Sequence, residues 1–303
     1  MLLITHPKFQ AHEMGPGHPE QPARLVSIDS AMRKAPWFEQ LTQMQATPAS
    51  DEQLLRAHTE YLLEQIEVSA PEHGYAALDP DTVMNSQTLE VIRLAAGAGV
   101  LAVNEVMAGR HQRAFCAVRP PGHHAERGRA MGFCFYNNVA VAAYHALEAH
   151  GLKRVLVIDF DVHHGNGTEN IFADDERVMM LSTFQSPFYP YSGTHPLGPN
   201  MYNVPLAQGA GGVSLKQAVE GVWQAAIDEF KPEMIFVSAG FDAHHLDTLG
   251  GLSWRKEDYA WVSQWIVKQA TRYSQGRIVS MLEGGYHLGG LAESACAHVE
   301  AML

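Results

Sequence analysis

Val155-Leu-Val-Ile158-Asp159-Phe-Asp161-Val-His163-His164-Gly-Asn166-Gly167 changes character partway along. Its first four residues are apolar and mostly β-branched, without alternation, as in a strand buried on both faces. The remainder is carboxylate, imidazole, amide and glycine. A core strand that ends in ionisable groups points to a helix-covered sheet with a site at its carboxyl edge. The same succession recurs along the chain. Ala114–Val118 runs into Arg119-Pro-Pro-Gly-His123-His124, Met234–Ser238 into Ala239-Gly-Phe-Asp242, and Ile278–Leu282 into Glu283-Gly-Gly-Tyr286. Leu2–Thr5 and Val178–Leu181 read as further strands. Amphipathic helices are predicted at Gln87–Ala108, Asn137–Ala149, Ser214–Glu229 and Lys256–Ser274. The fold class that follows is α/β, a three-layer α/β/α arrangement around a central, mostly parallel sheet. No repeat or Ser/Gly linker divides the chain, so residues 1–303 are expected to form a single domain.

Composition narrows the function. With 33 acids against 21 bases and a formal net charge of −12, the chain lacks the cationic surface that neutralises phosphates, so no nucleic-acid partner is expected. The charge suits a cationic substrate, and equally a protein kept soluble by self-repulsion. The three cysteines are widely spaced and form no Cys-x-x-Cys pair, which fits a reducing compartment. The start, Met1-Leu-Leu-Ile-Thr5-His6-Pro7, has neither a charged n-region nor a cleavage site. No apolar run is long enough for a bilayer, and the expectation is a cytoplasmic protein without a membrane partner. The 17 histidines, many clustered, favour a metal or acid–base site.

Asp161 and His163 alternate in an extended segment and so point the same way. With Asp242 from another strand end they make a three-ligand set that leaves one position open for water, as a catalytic metal requires. Such a set suits Zn²⁺, although oxygen donors discriminate poorly against Fe²⁺. Asp159 is expected beneath the metal, holding an imidazole N–H. His123 and His124 follow a stiff Pro-Pro-Gly turn and supply general acid–base chemistry. Asp159 is the candidate partner of His123 and Asn166 that of His124, so the first imidazole is expected to stay charged and the second to shuttle protons. Tyr286, aimed by Gly284-Gly285, is placed to share an oxyanion's charge. His164 reads as structural, and His244-His245 as loop residues near the rim.

These residues resemble the histone deacetylase and acetylpolyamine amidohydrolase family, on the arginase–deacetylase fold. The matching elements run from His18-Pro-Glu-Gln-Pro-Ala-Arg24, through Arg119-Pro-Pro-Gly-His-His-Ala125, Gly132-Phe-Cys-Phe-Tyr-Asn-Asn138 and Asp159-Phe-Asp-Val-His-His-Gly-Asn-Gly-Thr168, to Glu283-Gly-Gly-Tyr286. Their look is that of the class II and bacterial branch. The resemblance implies a zinc-dependent amidohydrolase that deacetylates an acetyl-lysine or a small acetylated amine or polyamine and releases acetate. It implies Zn²⁺ on Asp161, His163 and Asp242, His124 as general base and then acid, His123 as electrostatic partner, and Tyr286 on the carbonyl. Gly132, Phe133, Tyr189 and Leu249 would line the substrate tunnel, and Arg24 would lie near its floor, where acetate leaves. A structural K⁺ is implied at Asp159, Asp161, His163, Ser182 and Thr183, and a second at Phe172, Asp175 and Val178.

Departures from the family pattern matter too. Leu249 stands where polyamine-selective relatives carry glutamate. The class I aspartate that fixes a peptide backbone maps near Met84 or Asn85 and is absent there. Tyr191 replaces a usual glycine and is expected to narrow the mouth. No insertion of the obligate-dimer kind is visible, so an oligomer is not implied. An arginase-like ureohydrolase would need a second carboxylate in Gly240-Phe241-Asp242, and a non-catalytic binding module would have lost a ligand or the tyrosine.

Overall fold

A computed structural model describes residues 1–303. Ten strands form in chain order: β1 (Leu2–Thr5), β2 (Thr42–Gln45), β3 (Ala76–Asp79), β4 (Thr82–Met84), β5 (Arg113–Cys116), β6 (Val155–Asp159), β7 (Val178–Gln185), β8 (Met201–Leu206), β9 (Met234–Ala239) and β10 (Ile278–Leu282). Eight of them make one sheet, ordered β2-β1-β5-β10-β9-β6-β7-β8, and every pairing in it is parallel. β3 and β4 form a separate antiparallel hairpin. The sheet is thus wholly parallel where a mostly parallel one was expected.

Strands β6, β9 and β10 are buried along their full length, as their predominantly apolar sequences require. Helices Ala23–Met32, Lys256–Tyr273 and Leu288–Met302 pack together as one group, and Asp51–Ala57, Thr88–Met107 and Asn138–Glu148 as another. These layers flank the sheet. The long helix Thr88–Met107 lies so close to the Thr47–Ala49 backbone that a Cβ at Gly97 would sit 1.8 Å from the Thr47 carbonyl oxygen, so only glycine fits there. Asn137 starts the helix Asn138–Glu148 by accepting the Ala140 N–H on its side chain, an N-cap that fixes where the preceding loop ends.

Several boundaries differ from the sequence reading. Ala117 and Val118 leave the sheet, because the chain must turn into Arg119-Pro120. β7 continues to Gln185. β2 and β8 are edge strands with polar residues, β8 also carrying Pro205, which a sheet tolerates at its edge. The segment expected as one helix at Ser214–Glu229 contains a π-helical turn at Val219–Trp223. No helix is long and apolar enough to cross a membrane.

The strand order explains where a site can form. From β6 the chain proceeds to β7 on one side, whereas from β9, the neighbour of β6, it proceeds to β10 on the other. The loops leaving these two carboxyl ends therefore part, and the gap between them is the switch-point crevice of a parallel sheet. Asp161 and His163 follow β6, and Asp242 follows β9.

Candidate active site

Ligand atoms of Asp161, His163 and Asp242 all lie within 4.8 Å of one another. His163 Nδ1 is 3.0 Å from Asp161 Oδ1 and 3.4 Å from Asp242 Oδ2. Backbone donors hold the carboxylates: the Gly284 N–H donates to Asp161 Oδ2 at 2.9 Å, and the Val162 N–H to Asp242 Oδ1 at 2.8 Å. Asp242 Oδ2 is buried and has no hydrogen-bond donor. A buried carboxylate oxygen without a donor is costly unless something positive meets it. Burial and the Asp161 charge raise the Asp242 carboxyl to about 7. Burial also works against ionised Asp161, but His123 and His163 outweigh it and hold that carboxyl low. The set therefore carries oxygen and imidazole donors suited to a divalent ion. A Cβ at Gly284 would lie 1.9 Å from Asp242 Oδ2, and one at Gly240 2.0 Å from Asp161 Oδ2, so glycines permit the close approach.

The two adjacent histidines have different partners. His123 Nδ1 meets Asp159 Oδ2 at 2.9 Å, and His124 Nδ1 meets Asn166 Oδ1 at 2.7 Å. Burial disfavours charge on His123, but the Asp161 and Asp159 carboxylates outweigh it and raise the imidazole well above its ordinary range. His124 is lowered well below that range by burial and by the positive neighbours His123 and His163. One imidazole is held charged and the next neutral, a contrast set by carboxylate against amide.

Glu283, which the sequence reading left without a role, ties this loop to the sheet. Its Oε2 accepts the Gly122 N–H at 2.6 Å and the His123 N–H at 3.1 Å. Asp247, also unassigned, accepts the backbone N–H groups of Tyr286 and His287 at 2.6 and 2.9 Å. Burial pushes the Tyr286 phenol well above its usual range, so it remains a donor.

A cavity of about 260 Å³ opens onto this group, lined by His124, Gly132, Phe133, His163, Phe188, Tyr189, Leu249 and Tyr286, with Asp81 and Thr248 also on its wall. Phe133 meets the Tyr286 ring edge-on at 5.8 Å, and Tyr189 meets His124 in the same way at 5.3 Å. Phe188, not singled out in the sequence, stacks on the His163 ring at 5.4 Å. Phe133 has φ 68° and Gly132 φ 59°. The hairpin pins both residues in this left-handed conformation: Asp81 Oδ1 accepts the Gly132 N–H at 3.0 Å, and Thr82 Oγ1 the Phe133 N–H at 3.1 Å.

One expectation, for Tyr191, is corrected, and others gain detail. A carboxylate does stand on the cavity wall: it is Asp81, at the β3–β4 turn, a few residues before Met84 and Asn85. Tyr191 does not narrow the mouth, because at φ 62° its side chain turns outward and is 83% exposed. Arg24 lies behind the cavity, under the Tyr286 ring at 4.8 Å. It donates to the Gly285 carbonyl at 2.6 Å and, through Nη2, to that of Glu283. Its ion pair with buried Glu20, which also grips Arg119, links the loops of Tyr286 and His123 from below. His244 is buried against Gly290 and paired with Glu293 at 2.9 Å, and neither it nor His245 lines the cavity. His164 is buried between Ser192 and Glu169.

Asp159 and Ser182 are register neighbours on β6 and β7, and the hydroxyls of Ser182 and Thr183 are buried without partners beside the ligand loop. The carbonyls of Phe172, Asp175 and Val178 also converge, but on a donor already present, the side-chain amide of Asn200.

Comparison with known proteins gives one consistent result. A family model described as the histone deacetylase domain matches residues 18–302. A histone deacetylase-like amidohydrolase of Pseudomonas aeruginosa is 36% identical over 277 residues, covering 89% of this chain and 73% of that protein. The polyamine deacetylase HDAC10 of Homo sapiens is also 36% identical, over 94% of this chain and 44% of its own length. A solved structure described as the HDA15 HD domain superposes with a TM-score of 0.92 at 31% identity, covering all of this chain and 90% of that one.

Proposed function

Since the chain belongs to the histone deacetylase family, we propose that it is a zinc-dependent amidohydrolase that removes acetyl groups from an alkylamine, either acetyl-lysine or a small acetylated amine. The observation that carries this reading is one cavity lined by His124, Tyr286 and His163, the last of which is clustered with Asp161 and Asp242. The unpaired Asp242 Oδ2 fits a resident divalent ion. Held by Asp161, His163 and Asp242, such an ion supplies Lewis-acid polarisation of the amide carbonyl and acidifies a water molecule. Fe²⁺ would serve the same donors. The unpartnered Ser182 hydroxyl, on the register neighbour of Asp159, supports a structural K⁺ with Asp159, Asp161, His163 and Thr183.

His124 is the residue that takes a proton from the attacking water, because it is neutral and its Nδ1 is fixed by Asn166. Charged His123, clamped by Asp159, offsets the negative charge gathered at the site. Tyr286 donates its O–H to the carbonyl oxygen as charge develops there. His124 then returns its proton to the departing nitrogen, so that amide and water give acetate and free amine. Phe133 and Tyr189 grip the alkyl stem, with Gly132 and Leu249 completing the tunnel. Asp81 on the wall favours substrates that bring N–H donors or positive charge. Arg24 supports the floor by bracing the Tyr286 loop.

A rate panel of acetyl-lysine peptide, acetylputrescine, acetylcadaverine and acetylspermidine, run with and without a chelator, tests the reading. Acetate release that stops on chelation and returns with zinc is the expected result. No chelator-sensitive release from any of the four would overturn it.

A further inference from the structure

Asn200 lies just before β8, where the chain re-enters the sheet after the loop bearing Phe188 and Tyr189. Its Nδ2 sits 2.8 Å from the Phe172 carbonyl oxygen, 3.1 Å from that of Asp175 and 2.8 Å from that of Val178. An amide nitrogen has only two hydrogens, so three acceptors must share them. Its Oδ1, meanwhile, is buried and receives no donor. Exchanging the two amide atoms would turn an oxygen toward three carbonyl oxygens, so the ring of acceptors fixes the orientation. The Phe172 and Asp175 carbonyls each already accept one backbone N–H, from Asp175 and Val178 at 3.0 Å, and each offers a second lone pair to the centre.

A ring of backbone carbonyls with surplus lone pairs is what K⁺ takes in place of its hydration shell. These are also the residues at which the family resemblance implies a second K⁺. We propose that Asn200 is a tethered stand-in for that cation. Its polarised NH₂ group fills the centre of the ring and joins the end of helix Asn166–Phe172 to the starts of β7 and β8. The Asn200 carbonyl accepts the Met180 N–H at 3.0 Å, so the same residue begins the β7–β8 pairing. The loop carrying Tyr189 is thereby anchored at its far end without a second ion.

Crystals grown with Rb⁺ as the probe for K⁺ test this directly through anomalous scattering. In the wild-type protein no Rb⁺ is expected within the ring of Phe172, Asp175 and Val178 carbonyls. A Rb⁺ peak there, with the amide swung out, would overturn the proposal. In Asn200→Ala, Rb⁺ should enter the ring. Replacing choline by K⁺ at constant ionic strength should then raise Tm further in the variant than in wild type. A folded variant that takes up no Rb⁺ and gains no extra K⁺ response would show that the ring is no cation site, which also sinks the idea. Should the variant not fold, the wild-type map still decides between an amide and an ion.

Discussion

Strand β7 touches two clusters of oxygen that ended up in opposite states. In its second half, Ser182 Oγ and Thr183 Oγ1 are buried and unpartnered, as is Asp242 Oδ2 beyond the end of β9. At its start, the Val178 carbonyl and two others are met by one amide. The first group is made of side-chain oxygens and the second of backbone carbonyls. What differs is whether the chain supplies its own positive group. An edge left open to an ion can do chemistry, whereas a ring closed by Asn200 contributes only stability. Changes at the first should therefore cost rate, and changes at the second should cost stability.

The largest loss of rate is expected for His124→Ala, about 10²- to 10⁴-fold in turnover, the usual worth of a general acid–base. Metal content should be unchanged, and a near-normal rate would move the proton transfer to another residue. Tyr286→Phe should lower kcat by about 10²- to 10³-fold while leaving metal and KM little altered, since it removes a donor to developing charge. A rise in KM at constant kcat would instead make the phenol a binding group.

Asn166→Asp sharpens the contrast between the two imidazoles by giving His124 the kind of partner His123 already has. In wild type His124 lies well below the ordinary histidine range, so it stays neutral and able to accept a proton down into acid. A carboxylate at Nδ1 raises that pKa. The acidic limb of kcat/KM should therefore shift to higher pH, with a loss of roughly tenfold near neutrality that recovers as pH rises. A rate lowered equally at every pH would contradict this. The smallest effect on rate belongs to Asn200→Ala. Activity should remain within about twofold, while stability in K⁺-free buffer falls by about 1–3 kcal/mol, the cost of buried acceptors left unpaired. Chemical denaturation measures that.

Much of the site was readable before any fold was known, for a specific reason. Asp161-Val-His163 announces itself because alternation in extended chain puts both side chains on one face. Asp159 and Asn166 could be matched to the two histidines because one offers charge and the other only a dipole. Asp81 was missed because the hairpin that carries it is short and polar, without periodicity to position it against the distant Gly132. Glu283 and Asp247 act by accepting backbone N–H groups from distant loops, a role that leaves no spacing signature. Asn200 meets its carbonyls through tertiary packing alone. Among the elements, β2 and β8 escaped because edge strands need not be apolar. The helix Leu288–Met302 opens on Leu-Gly-Gly, which reads locally as a turn.

The central claim is that one divalent ion is gripped jointly by the side chains at 161, 163 and 242. Elemental analysis of purified protein measures this most directly, with wild type set beside Asp242→Ala of verified fold. The account predicts one divalent ion per wild-type chain and none retained by the variant. Two ions per wild-type chain, or a full complement in the variant, would contradict it.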